Sequence, residues 1–362
     1  MRPAVLVATA AAAGLIAVAM RVPRIREGMR EPITNAVVAL LVAPWAQQAA
    51  WSEGRPVPSA MLEPAAAVVD GRLYLFGGFV TGARAHEYPA LTRVAIYDPG
   101  ADEWSAGLDL PEPVTHANAV VVDREVWSAG GFVGDDPGAA VATVRRFDTV
   151  ARRWSAGPPL PRPVAGGTLA LVGRTLHYVG GFDADRDTVV STHWALDVDA
   201  AIAGGARARW LARAPLHVAR GHLASAVVGG RLFAIGGQVR HDTDPVDLAD
   251  VEVYEPESDA WRAVASLPTP RSHFEAATFV DHGRIVVVGG RNDTASLFIK
   301  GAGLADVLVY DPSSDRWATR PGLPVGIASP VALPVAGRLV VTAGASFGDI
   351  VPQRRTFLGA LP

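Results

Sequence analysis

The 362 residues carry 33 Lys and Arg against 36 Asp and Glu, a formal net charge of −3. The charges are scattered without a basic stripe, so nucleic-acid binding has no electrostatic footing. Hydrophobic residues make up 49% and charged ones 19%, enough for a large core, and the absence of cysteine excludes disulfides, thiolate metal sites and a cysteine nucleophile.

From the start of the chain, residues 3–20 are uncharged and mostly Ala, Val and Leu, just long enough to cross a bilayer. Arg21, Arg24, Arg26 and Arg30 follow, then a second uncharged stretch from Pro32 to Ser52 with its apolar centre at Ala36–Ala43. Three arrangements fit: a signal peptide with translation starting at Met20 or Met29, a membrane hairpin with the arginines in the cytoplasm, or a single span with a cytoplasmic body. A buried apolar extension is a fourth, disfavoured by the length. Two of the three membrane arrangements export the rest. Residues 1–45 are therefore expected to be a signal peptide or anchor, with possible membrane attachment through residues 3–46. Residues 46–362 are expected in the periplasm, at the cell surface or outside the cell.

Beyond this segment the sequence repeats. Gly-Gly pairs stand at Gly77, Gly130, Gly180, Gly236 and Gly289, each after an apolar run (RLYLF, EVWSA, TLHYV, RLFAI, RIVVV), and a degenerate copy, RLVVT, precedes Ala343-Gly344. Trp51, Trp104, Trp154, Trp210, Trp261 and Trp317 precede these positions by 26, 26, 26, 26, 28 and 26 residues. An aromatic–acid step recurs between pair and Trp, at Tyr97-Asp98-Pro99, Phe147-Asp148, Tyr254-Glu255-Pro256 and Tyr310-Asp311-Pro312, with Leu196-Asp197 the weak copy. A fixed period near fifty marks a repeat architecture whose units must stack to bury their faces.

A di-glycine after an apolar strand, a Tyr-Asp-Pro turn and a Trp about six residues on resemble the kelch repeat over residues 46–362. That resemblance implies an all-β, six-bladed kelch-type β-propeller, distantly related to the propeller of galactose oxidase. The last repeat ends without a Trp, so the N-terminal strand around Trp51 is expected to complete the last blade beside RTFLGAL, removing two exposed edges.

Fourteen residues before each pair stand Glu63, His116, Gly166, His222, Glu275 and Ser329, equivalent positions that converge on a common axis in a closed ring. Two Glu and two His there suit a metal ion, a water or a sugar hydroxyl, or merely begin a strand at a solvated channel. The extra residue in the fifth repeat, around Asp281-His282-Gly283-Arg284, leaves the place of Glu275 open. Arg220, Arg271, Ser272 and His273 stand near the ring. The loops after the pairs open with Phe79, Phe132, Phe182, Gln238 and Arg291-Asn292, which could form a ligand rim or pack in the core. Asp183, Asp185 and Asp187 begin like a calcium loop, but Thr188 replaces the required Gly and Trp194 the bidentate Glu, so the segment reads as a solvated acidic loop.

No nucleophile elbow, Walker loop, HExxH or dinucleotide fingerprint occurs, and no cofactor or metal is expected. The leading expectation is an exported or membrane-tethered binding module for a protein, peptide or glycan on one propeller face. The alternative, implied by resemblance to bacterial kelch propellers, is a sugar mutarotase or epimerase of the sialic-acid type using Glu63, His116, His222 and Glu275 as acid and base. A cytoplasmic scaffold is the third.

Overall fold

The computed structural model describes residues 51–82, 87–204, 207–293, 302–346 and 352–362. The expectations for residues 1–46 lie outside them. The chain divides into two units, Met1–Gln48 and Ala49–Pro362, and the second is described here. Among the described residues no helix is long and apolar enough to cross a membrane.

Each repeat folds into one four-stranded antiparallel sheet, and six such sheets are present among the described residues. In the first, Ala65–Val69 and Arg72–Phe76 are buried on both faces, alternate residues packing into two cores: Ala66, Leu73 and Leu75 into one, Ala65, Ala67, Val69 and Phe76 into the other. Asp70-Gly71 joins them with φ of +49° and +73°, as a two-residue type I′ hairpin turn requires. Val94–Asp98 and Glu103–Ala106 complete the sheet. The first strands, Ala65–Val69, Asn118–Val122, Thr168–Val172, Ala224–Val228, Thr278–Asp281 and Val331–Val335, contact one another in that order, and the last returns to the first. They line the axis of a closed ring.

The repeated motifs are the fastenings between sheets. The second glycine of each pair donates its N–H to the next sheet: Gly78 to Val114 O, Gly131 to Val164 O, Gly181 to Arg220 O, Gly237 to Arg271 O and Gly290 to Ile327 O. Gly344 closes the circle on Met61 O at 3.0 Å. Each repeat Trp donates its indole N–H to a carbonyl of the preceding sheet, from Trp104 on Arg55 O through Trp317 on Ala265 O to Trp51 on Gly322 O. The aromatic–acid step has a related role: the Tyr97 hydroxyl donates to Asp102 Oδ1 (2.7 Å), which also accepts the Arg55 N–H. The strand Ser52–Gly54 pairs with Thr356–Gly359, Ser52 opposite Leu358, so the expected closure of the last sheet by the N-terminal strand is present.

Gly77 shows why these positions tolerate little. Its φ is +66°, and a Cβ would lie 2.4 Å from Val114 O of the next sheet. Gly77→Ala combines a left-handed backbone with a backbone clash and is expected to cost about 3 kcal/mol. Gly173→Ala has a similar φ of +58° and open space, so only about 1 kcal/mol is expected. Urea denaturation of the two variants measures the difference.

Candidate functional site

The first strands begin at the channel mouth, and there the backbone turns left-handed in every sheet. The residues are Glu63, His116, Gly166, His222, His273 and Ser329, with φ between +48° and +61°. The ring is tied along its backbone, Gly166 N–H to His116 O and His222 N–H to Gly166 O. His273, not Glu275, therefore holds the fifth position, matching Arg220-Gly221-His222 with Arg271-Ser272-His273. The hairpin turn at His282-Gly283 is an ordinary two-residue one. The surplus that lengthens this repeat sits upstream, in a 3₁₀ turn over Glu275–Ala277. That turn brings the Glu275 carboxylate to His222 Nδ1 at 2.9 Å.

Four of the nine histidines gather at this ring. His222 and His273 stack with centroids 3.7 Å apart, and His116 and His241 each stand 4.9 Å from His222. His222 Nε2 faces His241 Nε2 at 3.0 Å, and His241 Nδ1 meets Asp242 Oδ1 at 2.5 Å. His116 Nδ1 meets Thr115 Oγ1 at 2.7 Å, and its Nε2 lies 3.0 Å from Glu63 Oε2. Neither of those last two buried atoms makes a well-aligned hydrogen bond. Phe132 and Phe182 set their ring edges against this cluster, Phe132 on His116 and Phe182 on His222 and His241.

Burial and the neighbouring imidazoles push His222 well below its ordinary pKa, and burial does the same to His273, so both rings are neutral at pH 7. Burial pushes Glu275 up to about 8. Burial would also raise Glu63, but His116, His273 and His241 together hold it at about 2.

Two cavities meet at this layer. One of about 280 Å³ opens on the loop side between Phe79, Tyr88, Arg186, Gln238 and Arg291, with Glu63, His116, His241 and His273 below them. A constriction of about 30 Å³, room for one ion or one water, lies among Glu63, His116, His222, His273, Glu275 and Ser329.

Of the residues expected at the site, Glu63, His116, His222, Glu275 and His273 come together, and Phe79, Gln238 and Arg291 reach the cavity wall. Arg220 and Arg271 do not. Both are fully buried, Arg220 against Glu252 and Arg271 bidentate on Asp306, and each guanidinium also donates to a backbone carbonyl, Ala234 O and Gly289 O. Phe132 and Phe182 are also fully buried and pack on Ala165 beneath the ring, which is the core role rather than the rim. Asn292 spends its amide on Pro270 O. The carboxylate of Asp185 accepts N–H groups of Asp187 and Thr188, as a solvated acidic turn does.

Sequence reasoning missed His241, Asp242 and Arg186. His241 and Asp242 sit in the loop after Gly237, and the positions equivalent to His241 hold Gly82, Asp135 and Asp185 rather than a second histidine. Arg186 is the lone cation of the acidic loop DADRDT. It reaches over the Phe132 ring at 4.1 Å and pairs with Asp242 and Asp136.

A family model described as the KLHDC2/KLHL20/DRC7 Kelch-repeats domain matches residues 116–331, and the Kelch motif model matches residues 62–107. Kelch-like protein terF of Aspergillus terreus is 28% identical over 247 residues, 66% of this chain and 52% of that protein. An Influenza virus NS1A-binding protein homolog of Xenopus laevis is 41% identical over 78 residues, 22% of this chain and 11% of that protein. The chain thus spans about half of the first of these relatives and far less of the second. A solved structure titled "Structure of YjhT" superposes with a TM-score of 0.58 at 14% identity, covering 71% of this chain and 83% of that one, a likeness of fold.

Proposed function

Since the chain belongs to the kelch-repeat β-propeller family, we propose that it is a six-bladed protein-interaction module that takes a segment of a partner protein into the cavity at its channel mouth. The observation that carries this is the cavity itself. At about 280 Å³ it holds one or two side chains, and its wall joins an aromatic corner to charged groups. Phe79 and Tyr88 meet edge to face at 5.7 Å, while Arg186, Arg291 and Asp136 offer polar partners. An aromatic anchor site ringed by polar groups is the usual form of a binding hot spot. One kelch relative named for protein binding, the Influenza virus NS1A-binding protein homolog, supports the same partner class, and a glycan is the other ligand class for this wall.

A second reading, a sugar mutarotase, is favoured by one observation. Two carboxyls at the channel mouth, Glu63 of the ring and Glu275 of the turn beside it, are driven apart, to about 2 and about 8, which is how environments set a base and an acid.

The test pans a displayed peptide library against the full chain. Peptides that bind the wild type are expected to lose about 30-fold or more in affinity to Tyr88→Ala or Phe79→Ala, the range of hot-spot truncation. Binding that is indifferent to both substitutions defeats the cavity proposal. Accelerated anomer exchange of sialic acid in NMR spectra, lost in Glu63→Gln and Glu275→Gln, would decide for the mutarotase instead.

A further inference from the structure

We propose that the imidazole layer between this cavity and the constriction beneath it is a metal site for a divalent ion of the zinc class, held by His116, His222 and His241 with Glu63 as fourth ligand. This concerns the floor of the channel and holds whichever ligand the cavity above it takes.

The argument starts from what each imidazole does with its other nitrogen. His222 Nδ1 is 2.9 Å from Glu275 Oε1, His241 Nδ1 is 2.5 Å from Asp242 Oδ1, and His116 Nδ1 is 2.7 Å from Thr115 Oγ1. A histidine ligand is characteristically fixed in this way, its second nitrogen held by a carboxylate or another oxygen so that the first is aimed at the ion. The first nitrogens are aimed here at one place. His222 Nε2 and His241 Nε2 are 3.0 Å apart, and when both rings carry their hydrogens on Nδ1, facing Glu275 Oε1 and Asp242 Oδ1, two lone pairs confront each other across that gap. Only a proton or a cation between them relieves the contact.

Tetrahedral spacing favours the cation. With zinc–nitrogen and zinc–oxygen bonds near 2.0–2.1 Å, ligand atoms stand about 3.3 Å apart. The His222–His241 and His116–Glu63 contacts, both 3.0 Å, are two opposite edges of such a tetrahedron. One nitrogen from each of His116, His222 and His241 lies within 4.8 Å of the others, which nearly forms the three-histidine face, and a Glu63 oxygen lies as close to His222 and His273, from where its side chain turns to the fourth corner. The buried His116 side chain is 5% exposed, and its Nε2 and Glu63 Oε2 are the two polar atoms of the ring left without an aligned partner. An ion between them satisfies both. The adjoining space of about 30 Å³ is of ionic size, and three imidazoles with a carboxylate suit zinc, nickel or copper rather than calcium or magnesium.

The experiment uses the full chain without a histidine tag, stripped with EDTA and then loaded with Co²⁺ as a spectroscopic stand-in for zinc. The expected result is one equivalent retained through desalting, with the intense visible absorption of a four-coordinate site that Zn²⁺ abolishes. His241→Ala, on a surface loop, should weaken binding at least about 100-fold, and Asp242→Asn about 10–100-fold as an outer partner. His282→Ala, an exposed histidine on a hairpin turn, should leave binding unchanged. Less than a tenth of an equivalent bound by the wild type would overturn the site and leave a proton between the two rings. So would undiminished Co²⁺ binding by His241→Ala with a native circular dichroism spectrum.

Discussion

Arg220→Ala is expected to cost about 3–5 kcal/mol of folding stability, the range for breaking a buried ion pair by removing one partner. The arginine is fully buried, and the Glu252 side chain facing it is 3% exposed. Its guanidinium reaches Glu252 Oε1 at 2.7 Å, Val218 O at 2.7 Å and Ala234 O at 3.2 Å, so three acceptors lose a donor at once. Glu252 keeps only the N–H groups of His217 and Val218 and the exposed His217 ring. Burial raises its carboxyl, and at present the Arg220 hydrogen bond overrides that and holds it below the ordinary value. The double variant Arg220→Met/Glu252→Leu should recover most of the loss, because two apolar side chains of similar volume need no partner. Chemical denaturation of the four members of the cycle measures this. Equal stability of Arg220→Ala and wild type would show that the guanidinium does not hold these strands.

The second large effect is a dependence on pH. His177 and His193 are 3% and 2% exposed, with His177 Nδ1 2.8 Å from His193 Nε2 and His193 Nδ1 2.9 Å from Ala214 O. Tyr254 and Trp261 pack on them. Burial lowers His177 to about 3, helped by His193 and Arg213, and lowers His193 to about 4 against the opposing pull of Ala214 O and Asp259. Both folded values lie below the unfolded value of 6.5, so below pH 6.5 the unfolded chain binds more protons and stability falls as the pH drops toward 4. Between pH 7.5 and pH 5 the two rings together should remove about 4 kcal/mol. His177→Leu/His193→Leu should flatten that slope by about this amount whatever it does to stability at neutral pH. An unchanged slope between pH 7.5 and pH 5 would mean that the pair does not titrate with unfolding.

The fold was legible because its fastenings are made of residue types that are seldom exchanged. Glycine suits a left-handed backbone pressed on the next strand, as at Gly77, with Ala343 at φ +55° the one exchange in six, and only Trp carries a large ring with an N–H that can reach a neighbouring carbonyl. Those requirements recur once per sheet and therefore appear as a period. The site was legible in part, since the ring positions inherit the same register, and that register misassigned one sheet. A two-residue insertion upstream of the fifth inner strand put His273 where counting put Glu275, and counting alone cannot say whether an insertion falls in a turn or in the strand entrance. Arg220 and Arg271 misled for a different reason. A cation near a channel is equally suited to a ligand and to a buried carboxylate, and Glu252 and Asp306 lie more than thirty residues away in sequence. His241 and Arg186 belong to loops whose paths follow from no repeat.

The pairing of Ser52–Gly54 with Thr356–Gly359 also sets the order of events at the ribosome. The first-made strand of the ring has no partner until its match is synthesised 304 residues later, from Ser52 to Thr356, which at ordinary elongation rates of 5–20 residues per second is a wait of about 15–60 s. During that interval the early sheets can form but the circle is open, with Met61 O still awaiting the Gly344 N–H and two sheet faces exposed to water. The arrival of Thr356–Gly359 beside Ser52–Gly54, rather than the assembly of any one sheet, is thus the step that completes the ring, and a chain cut after Pro352 would carry an unfinished seam.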